Sequence, residues 1–547
     1  MVKKILDLDT KDIFYYIFSS YFLFGMHVSI EHVGGYGLYL PFNIIGWMFI
    51  SFLIGLGLYQ ISKSRKLFYS NLYIYCTIGS ALLLIPFFYS NNIHAHLSVM
   101  RIFGLGGGLL LYLSFQQFGF NKKEKHGFLY VILCSVLIQI LLKSFFLFKP
   151  EFGAMAQKNV FATFLATGTA IALFLLLIDK NAINNIIKKI LVFGIPFLSC
   201  IHIYHLESRT GYLAIILGII TIILFGDRKN KNLQLWLGLL FIGLIVGSLT
   251  KRDTITSKAK QYSGNTRMAT YQLTYEMIKE NPIFGVGYGN FLSAFRLHYA
   301  KRKKEDPSME TIGNNNMDHP HNEILFWTVE GGIIPLIGLL IMAGGLLIII
   351  WRAKLKSAWG MLGLTFPVLI HTQLELPFYI SLVHWVTFIF IIYMIDNEFS
   401  KQFEINVEFV SIFRILSLSI PIIISIYMAT TLKTAAVITK FERTGYRDPS
   451  LLVSIGNPHA WQKKYETLIM KLNLNIAKQT RDKNKLNDYI KWAEQYIEHS
   501  PYLFIYYDLA TAHEAMGNGE KAWERYRYAQ HLYPGAKWRD EDNSNPY

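Results

Sequence analysis

Residues 319–350 read HPHNEILFWTVEGGIIPLIGLLIMAGGLLIII, so His319-Pro320-His321-Asn322-Glu323 opens an apolar run that continues through Phe326, Trp327, Glu330, Gly331 and Gly332 to Ile350. A run of that length crosses a bilayer as a helix, because lipid offers the backbone no hydrogen-bonding partner. The opening residues are polar or conformationally restricted, and they follow a long polar stretch. Burying titratable groups for structure alone is expensive, so this junction of water and bilayer is where chemistry is expected. Pro320 suits a first helical position, which predicts His321 in the first turn, near the positive end of the helix dipole. That field favours the neutral imidazole a general base requires. Taken alone, the pair also reads as an interfacial cap with both rings in water.

Comparable runs fall near 12–30, 37–59, 68–89, 99–118, 127–148, 159–178, 187–205, 211–226, 233–249, 323–350, 358–374, 379–395 and 409–432, about thirteen spans. A hydrophobic content of 52 % and an aromatic content of 15 % agree with a polytopic membrane protein. The fold class expected is all-α: a membrane helix bundle with a large external loop and a helical C-terminal part. Lys3, Lys4, Asp7 and Asp9 precede the first run with no small-residue cleavage site, which predicts an uncleaved first helix. Cys76, Cys134 and Cys200 all lie in apolar runs, so no disulfide framework or metal cluster is expected. The net charge of +16 need not mean nucleic acid, and no nucleic-acid partner is expected; in a membrane protein the useful question is which side holds the charge.

The short connections answer that question. Lys63/Arg65/Lys66, Lys122/Lys123/Lys125, Lys180/Lys188/Lys189, Arg228/Lys229/Lys231 and Arg352/Lys354/Lys356 alternate with loops at Glu31–Gly35, Asn91–His96, Lys149–Lys158, Glu207–Arg209 and Gln373–Pro377. The positive-inside rule puts the first set in the cytoplasm and the second set outside, with loop 250–322 and everything after about 432. The chain thus reads as a membrane domain, 1–432, and a helical domain, 433–547. Gln157, Arg209, Arg267, His319, His321 and Glu375 all fall on the outer side.

Within the loop, Met268, Tyr271, Tyr275 and Ile278 form an amphipathic stripe that predicts a helix ended by Asn281-Pro282. Phe284-Gly285-Val286-Gly287-Tyr288-Gly289-Asn290 has no βαβ surroundings, so it reads as tight turns beside lipid or ligand rather than a dinucleotide fingerprint. Lys301-Arg302-Lys303-Lys304 reads equally as a solvated loop or a phosphate contact. Residues 503–534 fit one tetratricopeptide unit, with Tyr506, Leu509, Ala510, Ala522, Tyr526, Ala529 and Pro534 at its aromatic, small and terminal positions; 460–501 resembles a degenerate earlier copy. Such units bind partners more often than they catalyse.

Arg209 and Arg267 are the candidate anion holders, since guanidinium grips phosphate through paired hydrogen bonds and stays charged. Arg209 could instead snorkel to the interface. Glu375 could orient a histidine, pair an arginine or cap the break before Pro377. His94 and His96 are a weak metal pair, and Asp7-Leu8-Asp9 is too remote and too cytoplasmic to serve as an acidic metal motif. Nothing reads as a Walker loop, which disfavours an ATP-driven transporter.

Arg209 after a span, Arg267 and Pro282-Ile283-Phe284-Gly285-Val286-Gly287 in an external loop, and His319-x-His321-Asn322 before a span resemble the O-antigen ligase/polymerase superfamily. Glu330-Gly331-Gly332, Gln157-x-Asn159, Glu375-x-Pro377 and the tetratricopeptide-like tail are most similar to its bacterial O-linked protein oligosaccharyltransferases, including pilin glycosylation enzymes. The resemblance implies a glycosyltransferase of the bacterial inner membrane, with its active site and C-terminal domain facing the periplasm. It would move a glycan from undecaprenyl diphosphate to a Ser or Thr of a periplasmic acceptor such as a pilin, without metal or other cofactor. Expected catalytic residues are His321, His319 and Gln157, with Arg209, Arg267, Asn322, Glu323, Glu375 and, from the resemblance alone, Tyr379 binding substrate. The alternatives are an O-antigen ligase or polymerase, with lipid A core or glycan as acceptor, and more distantly a transporter or flippase.

Overall fold

The computed structural model describes residues 9–90, 92–145, 157–225, 231–250, 257–309, 312 and 317–534. The loop from Lys149 to Ala156 that was expected to be external, Arg228 and Lys229 of one basic loop, and Asp7 lie outside the described residues. The protein is a multi-pass, essentially all-helical membrane protein. Ten helices among the described residues are long and apolar enough to cross a membrane, from Pro41–Ser64 to Val410–Arg443.

Three of the expected spans are shorter than the apolar runs implied. Thr10–Leu23 has 14 residues, and Arg209–Phe225 has 17. The run at 358–374 divides into Lys356–Leu362 and Phe366–Thr372. The long run at 323–350 also divides, into Glu323–Gly331 and Ile333–Ala353, because Gly332 adopts φ +74° and ψ −152°, a conformation essentially confined to glycine. The last span instead runs past its expected end at 432, as a helix of 34 residues to Arg443.

The chain divides into two compact units. The first comprises Met1–Ser80, Met100–Asp253 and Leu340–Trp461. Its central element is Lys158–Ile178, apolar on every face and buried from Val160 to Leu176, as expected of a helix enclosed by other helices. Close helix approach depends on small residues: Gly55 lies against Pro421 and the Ser417 carbonyl, and Gly57 against Ser114. At one end, strands β1 (Lys66–Ser70) and β2 (Gln402–Asn406) pair antiparallel, with Phe68 opposite Glu404. This ribbon departs from the purely helical expectation. Beside it, buried Asp396 accepts hydrogen bonds from Ser70 Oγ at 2.7 Å and Gln116 Nε2 at 2.9 Å.

The second unit comprises Ala81–Val99, Thr254–Leu339 and Gln462–Tyr547. In it, helices Gln462–Thr480, Lys483–His499, Leu503–Ala515 and Gly519–Leu532 share a core of Leu474, Leu486, Tyr489, Ile505, Leu509 and Leu532. Ala300 of helix Phe291–Glu305 joins that core, and the fully buried Arg296 guanidinium lies 4.3 Å from the Tyr533 ring centre. The polar loop is therefore a folded part of the same unit as the C-terminal helices. Helix Ser257–Glu280 ends where Asn281-Pro282 was expected to end it, but its packed face differs from the predicted stripe. Leu273 and Met277 are buried with Thr270 and Thr274, while Met268 and Tyr275 are exposed.

Candidate functional site

In the second unit, the Gly285–Gly289 loop and the end of helix Glu323–Gly331 fit one another atom by atom. Val286 N donates to Val329 O at 2.8 Å and Gly287 N to Glu330 O at 2.9 Å. The buried Glu330 carboxylate accepts from Gly289 N at 3.0 Å and Phe291 N at 3.2 Å. A Cβ on Gly285 would meet the Glu330 carbonyl carbon at 2.5 Å, and one on Gly332 the Ile283 oxygen at 2.0 Å. The glycine run expected to lie beside lipid or ligand thus lies beside helix backbone, and it fixes that helix from its C-terminal side.

At the other end of the helix, Asn322 is the cap: its Oδ1 accepts from Leu325 N at 3.0 Å. Pro320 is therefore not the first helical residue, and His321 precedes the helix rather than occupying its first turn. His321 takes φ +56°, left-handed and unusual for a non-glycine residue. His321 N donates to His319 Nδ1 at 3.1 Å, and Tyr271 Oη donates to the His321 carbonyl at 3.1 Å. Accepting at Nδ1 leaves His319 its Nε2 for a proton, and Asp318 Oδ1 lies 3.7 Å from that atom. The two rings stand edge to face with centres 4.6 Å apart. Arg267 is one turn before Tyr271, on the same side of its helix. The structure thus brings His319, His321, Asn322 and the Arg267 turn together, with Glu323 buried at the helix start.

The first unit holds Gln157, Arg209, Glu375 and Tyr379. Gln157 immediately precedes Lys158–Ile178, with no capping hydrogen bond from its side chain, and Arg209 is the exposed first residue of Arg209–Phe225. Ser208 Oγ joins these helix starts, donating to Asn159 Oδ1 at 2.9 Å and accepting from Gly211 N at 3.1 Å. One turn below Asn159, Thr163 Oγ1 meets buried His371 Nδ1 at 2.9 Å, and the His371 carbonyl accepts from Glu375 N at 2.9 Å. Tyr379 lies in the short helix Pro377–Ile380 that follows.

Residues 194–340 match a family described as O-antigen ligase, and residues 359–544 match the C-terminal region of a family described as virulence factor membrane-bound polymerase. The chain is a membrane protein of the O-antigen ligase/polymerase superfamily. No curated protein matches it. Membership in this superfamily means glycosyl transfer from a lipid-linked donor. Arg209, Arg267, His319 and His321 fall in the ligase match, Glu375 and Tyr379 in the polymerase match, and Gln157 in neither.

Sequence reasoning passed over several polar residues of these superfamily regions. His371 was hidden in an apolar run. Tyr271 was read as part of a greasy stripe, although its hydroxyl holds the histidine segment. In the second unit Lys463 is drawn below the usual lysine range by burial, with Asp318 and Glu330 pulling the other way. His499 is pushed down to about 4 by burial, with Lys463, His94 and His96 adding to the effect. The His94 and His499 ring centres are 5.0 Å apart. His94 and His96 thus belong to a basic cluster with His499 and Lys463, a grouping that needs 400 residues of chain to close and leaves no local signal.

Proposed function

We propose that this superfamily member is an O-oligosaccharyltransferase of the bacterial inner membrane, transferring a glycan from undecaprenyl diphosphate to a Ser or Thr hydroxyl of a periplasmic protein such as a pilin. The observation that carries the reading is the His319–His321 pair, held in a strained left-handed turn ahead of a capped helix. Strain of this kind persists only where surrounding contacts enforce it, and it gathers at functional sites. An alcohol is a weak nucleophile and needs a base within hydrogen-bond reach. In this reading His321 takes the hydroxyl proton, the acceptor oxygen bonds the anomeric carbon, and the bond from that carbon to the diphosphate breaks. Undecaprenyl diphosphate leaves with the electron pair, and the anomeric configuration inverts.

His319 orients His321 or substitutes for it, and Gln157 donates to substrate. Arg209 and Arg267 are assigned the charge that develops on the diphosphate, a role needing no metal. Asn322, Glu323, Glu375 and Tyr379 complete the proposed binding set. The C-terminal helices 462–532, with a tetratricopeptide-like unit at 503–534, are assigned acceptor docking within a periplasmic domain from about 433 onward; loop 250–322 faces the same compartment. An O-antigen ligase or polymerase remains the second reading, because the family matches specify lipid-linked donors without an acceptor.

The test incubates purified protein with lipid-linked oligosaccharide and either a pilin-like protein or lipid A core, and weighs the products. Glycosylated protein is expected; product on lipid A core alone sinks the protein-acceptor assignment. Undiminished transfer by the His319→Ala/His321→Ala double variant removes the base assignment.

A further inference from the structure

A half-open cleft of about 70 Å³ lies in the first unit between the ends of helices Lys122–Phe145, Lys158–Ile178, Lys356–Leu362 and Leu382–Phe399. Its floor is apolar, formed by Phe174, Met361 and Met394, and its rim carries Lys122, Lys125, His126, Ser357 and Glu398. The rim charges are not equivalent. Buried Lys125 is committed to the protein, 2.9 Å from Asn397 Oδ1 and 3.2 Å from Glu398 Oε2. That contact uses the one acidic group of the cleft. Lys122, His126 and Ser357 have no side-chain hydrogen bond or ion pair among the described residues, and each supplies a polar hydrogen at the mouth.

We propose that this cleft binds a phosphodiester anion, supplied by an anionic phospholipid of the leaflet on the basic side of the bundle. The chemistry of the rim selects this ligand. The half-open space is ample for a small tetrahedral oxyanion to reach the rim groups. One cationic ammonium, an imidazole and a hydroxyl line its rim, a donor set suited to phosphate oxygens. The apolar floor belongs to the buried core of the first unit, and basic pockets between membrane helices on the cytoplasmic side are suited to acidic lipid head groups. The basic side is the end bearing Lys122, Lys123 and Lys125, next to Lys180, Lys188 and Lys189. This site is independent of the histidine segment and of the proposed reaction.

Native mass spectrometry of the full chain, released from detergent with phosphatidylglycerol, phosphatidylcholine or inorganic phosphate, tests the proposal. Wild type should retain one phosphatidylglycerol, and Lys122→Gln/His126→Gln should retain at least tenfold less. Lys123→Gln, one residue along and outside the cleft, should behave as wild type. Ser357→Leu, which blocks the mouth without removing charge, should also lose the lipid and guards against a folding artefact in the double variant. Equal retention of phosphatidylcholine would overturn the anion assignment. Binding of inorganic phosphate in place of lipid would overturn the lipid source, and full retention by both cleft variants would overturn the site.

Discussion

His321 shows how a single residue acquires a function its type alone does not confer. Its left-handed backbone, the acceptance of its N–H by His319 and the hydrogen bond from Tyr271 fix where the imidazole begins. Tyr271→Phe removes only the hydroxyl. Losing one hydrogen bond of about 1 kcal/mol should lower the transfer rate roughly three- to tenfold, with little change in apparent donor affinity, as steady-state kinetics would report. His321→Ala should cost at least a hundredfold in the same assay. A second residue-scale expectation concerns acid. His499 is neutral in the fold down to about pH 4, whereas an unfolded histidine takes up its proton near 6.5. Between those values the unfolded state binds more protons, so falling pH destabilises the C-terminal helices, an effect complete below about 4. Hydrogen exchange over residues 462–532 should accelerate as pH is lowered through this window, after correction for intrinsic exchange, and His499→Gln should flatten that dependence.

At the scale of the element, the decisive object is the short helix Glu323–Gly331, bounded by Asn322 at one end and Gly332 at the other. Its ends were partly legible. The polar residue ahead of an apolar run and the paired glycines after Glu330 both mark boundaries, yet the first helical residue is Glu323 rather than Pro320. Proline's fitness for a first turn is only a preference; here the Asn322 side chain and the left-handed His321 start the helix at Glu323, three residues later than Pro320 would predict. The glycines carry a sharper prediction. Gly332→Ala places a Cβ 2.0 Å from the Ile283 carbonyl oxygen, in a conformation alanine does not adopt, whereas a Cβ on Gly344 meets nothing within 4 Å. The first substitution should lower the melting temperature of the detergent-solubilised protein by several degrees, and the second should leave it nearly unchanged. Equal effects would remove the role assigned to the glycine loop. Asn322→Ala should cost about 1 kcal/mol through the lost cap, measurable as a smaller shift in the same experiment.

At the scale of the whole molecule, charge alternation assigns the Lys122–Lys125 end to the cytoplasm and residues 319–323 to the opposite side. Single cysteines placed at exposed Lys123 and at Lys304 should react from opposite faces of sealed membrane vesicles, in a chain whose own three cysteines are replaced by serine. Labelling of both from one face would overturn the proposed orientation.

The sequence by itself determined what depends on local composition. Apolar length sets the membrane helices, lysine and arginine placement sets their expected sense, and Arg267, His319 and His321 stand out because polar groups at a span's edge are costly. It also gave the end of helix Ser257–Glu280 through Asn281-Pro282. Tertiary structure alone decided what depends on distant partners. The β1–β2 ribbon joins strands more than 330 residues apart, the polar loop packs with the C-terminal helices through Arg296 and Tyr533, and Thr163 and Ser208 brace the helix starts in the first unit. The buried face of 257–280 likewise shifted because Leu273 and Met277, rather than Met268 and Tyr275, meet the Phe291 and Val329 core. Hydrophobicity and propensity are properties of a short window, whereas close packing and hydrogen-bond pairing are properties of two surfaces. For this chain the second surface lay outside that window, from 14 residues away for Met277 and Phe291 to more than 330 for the ribbon.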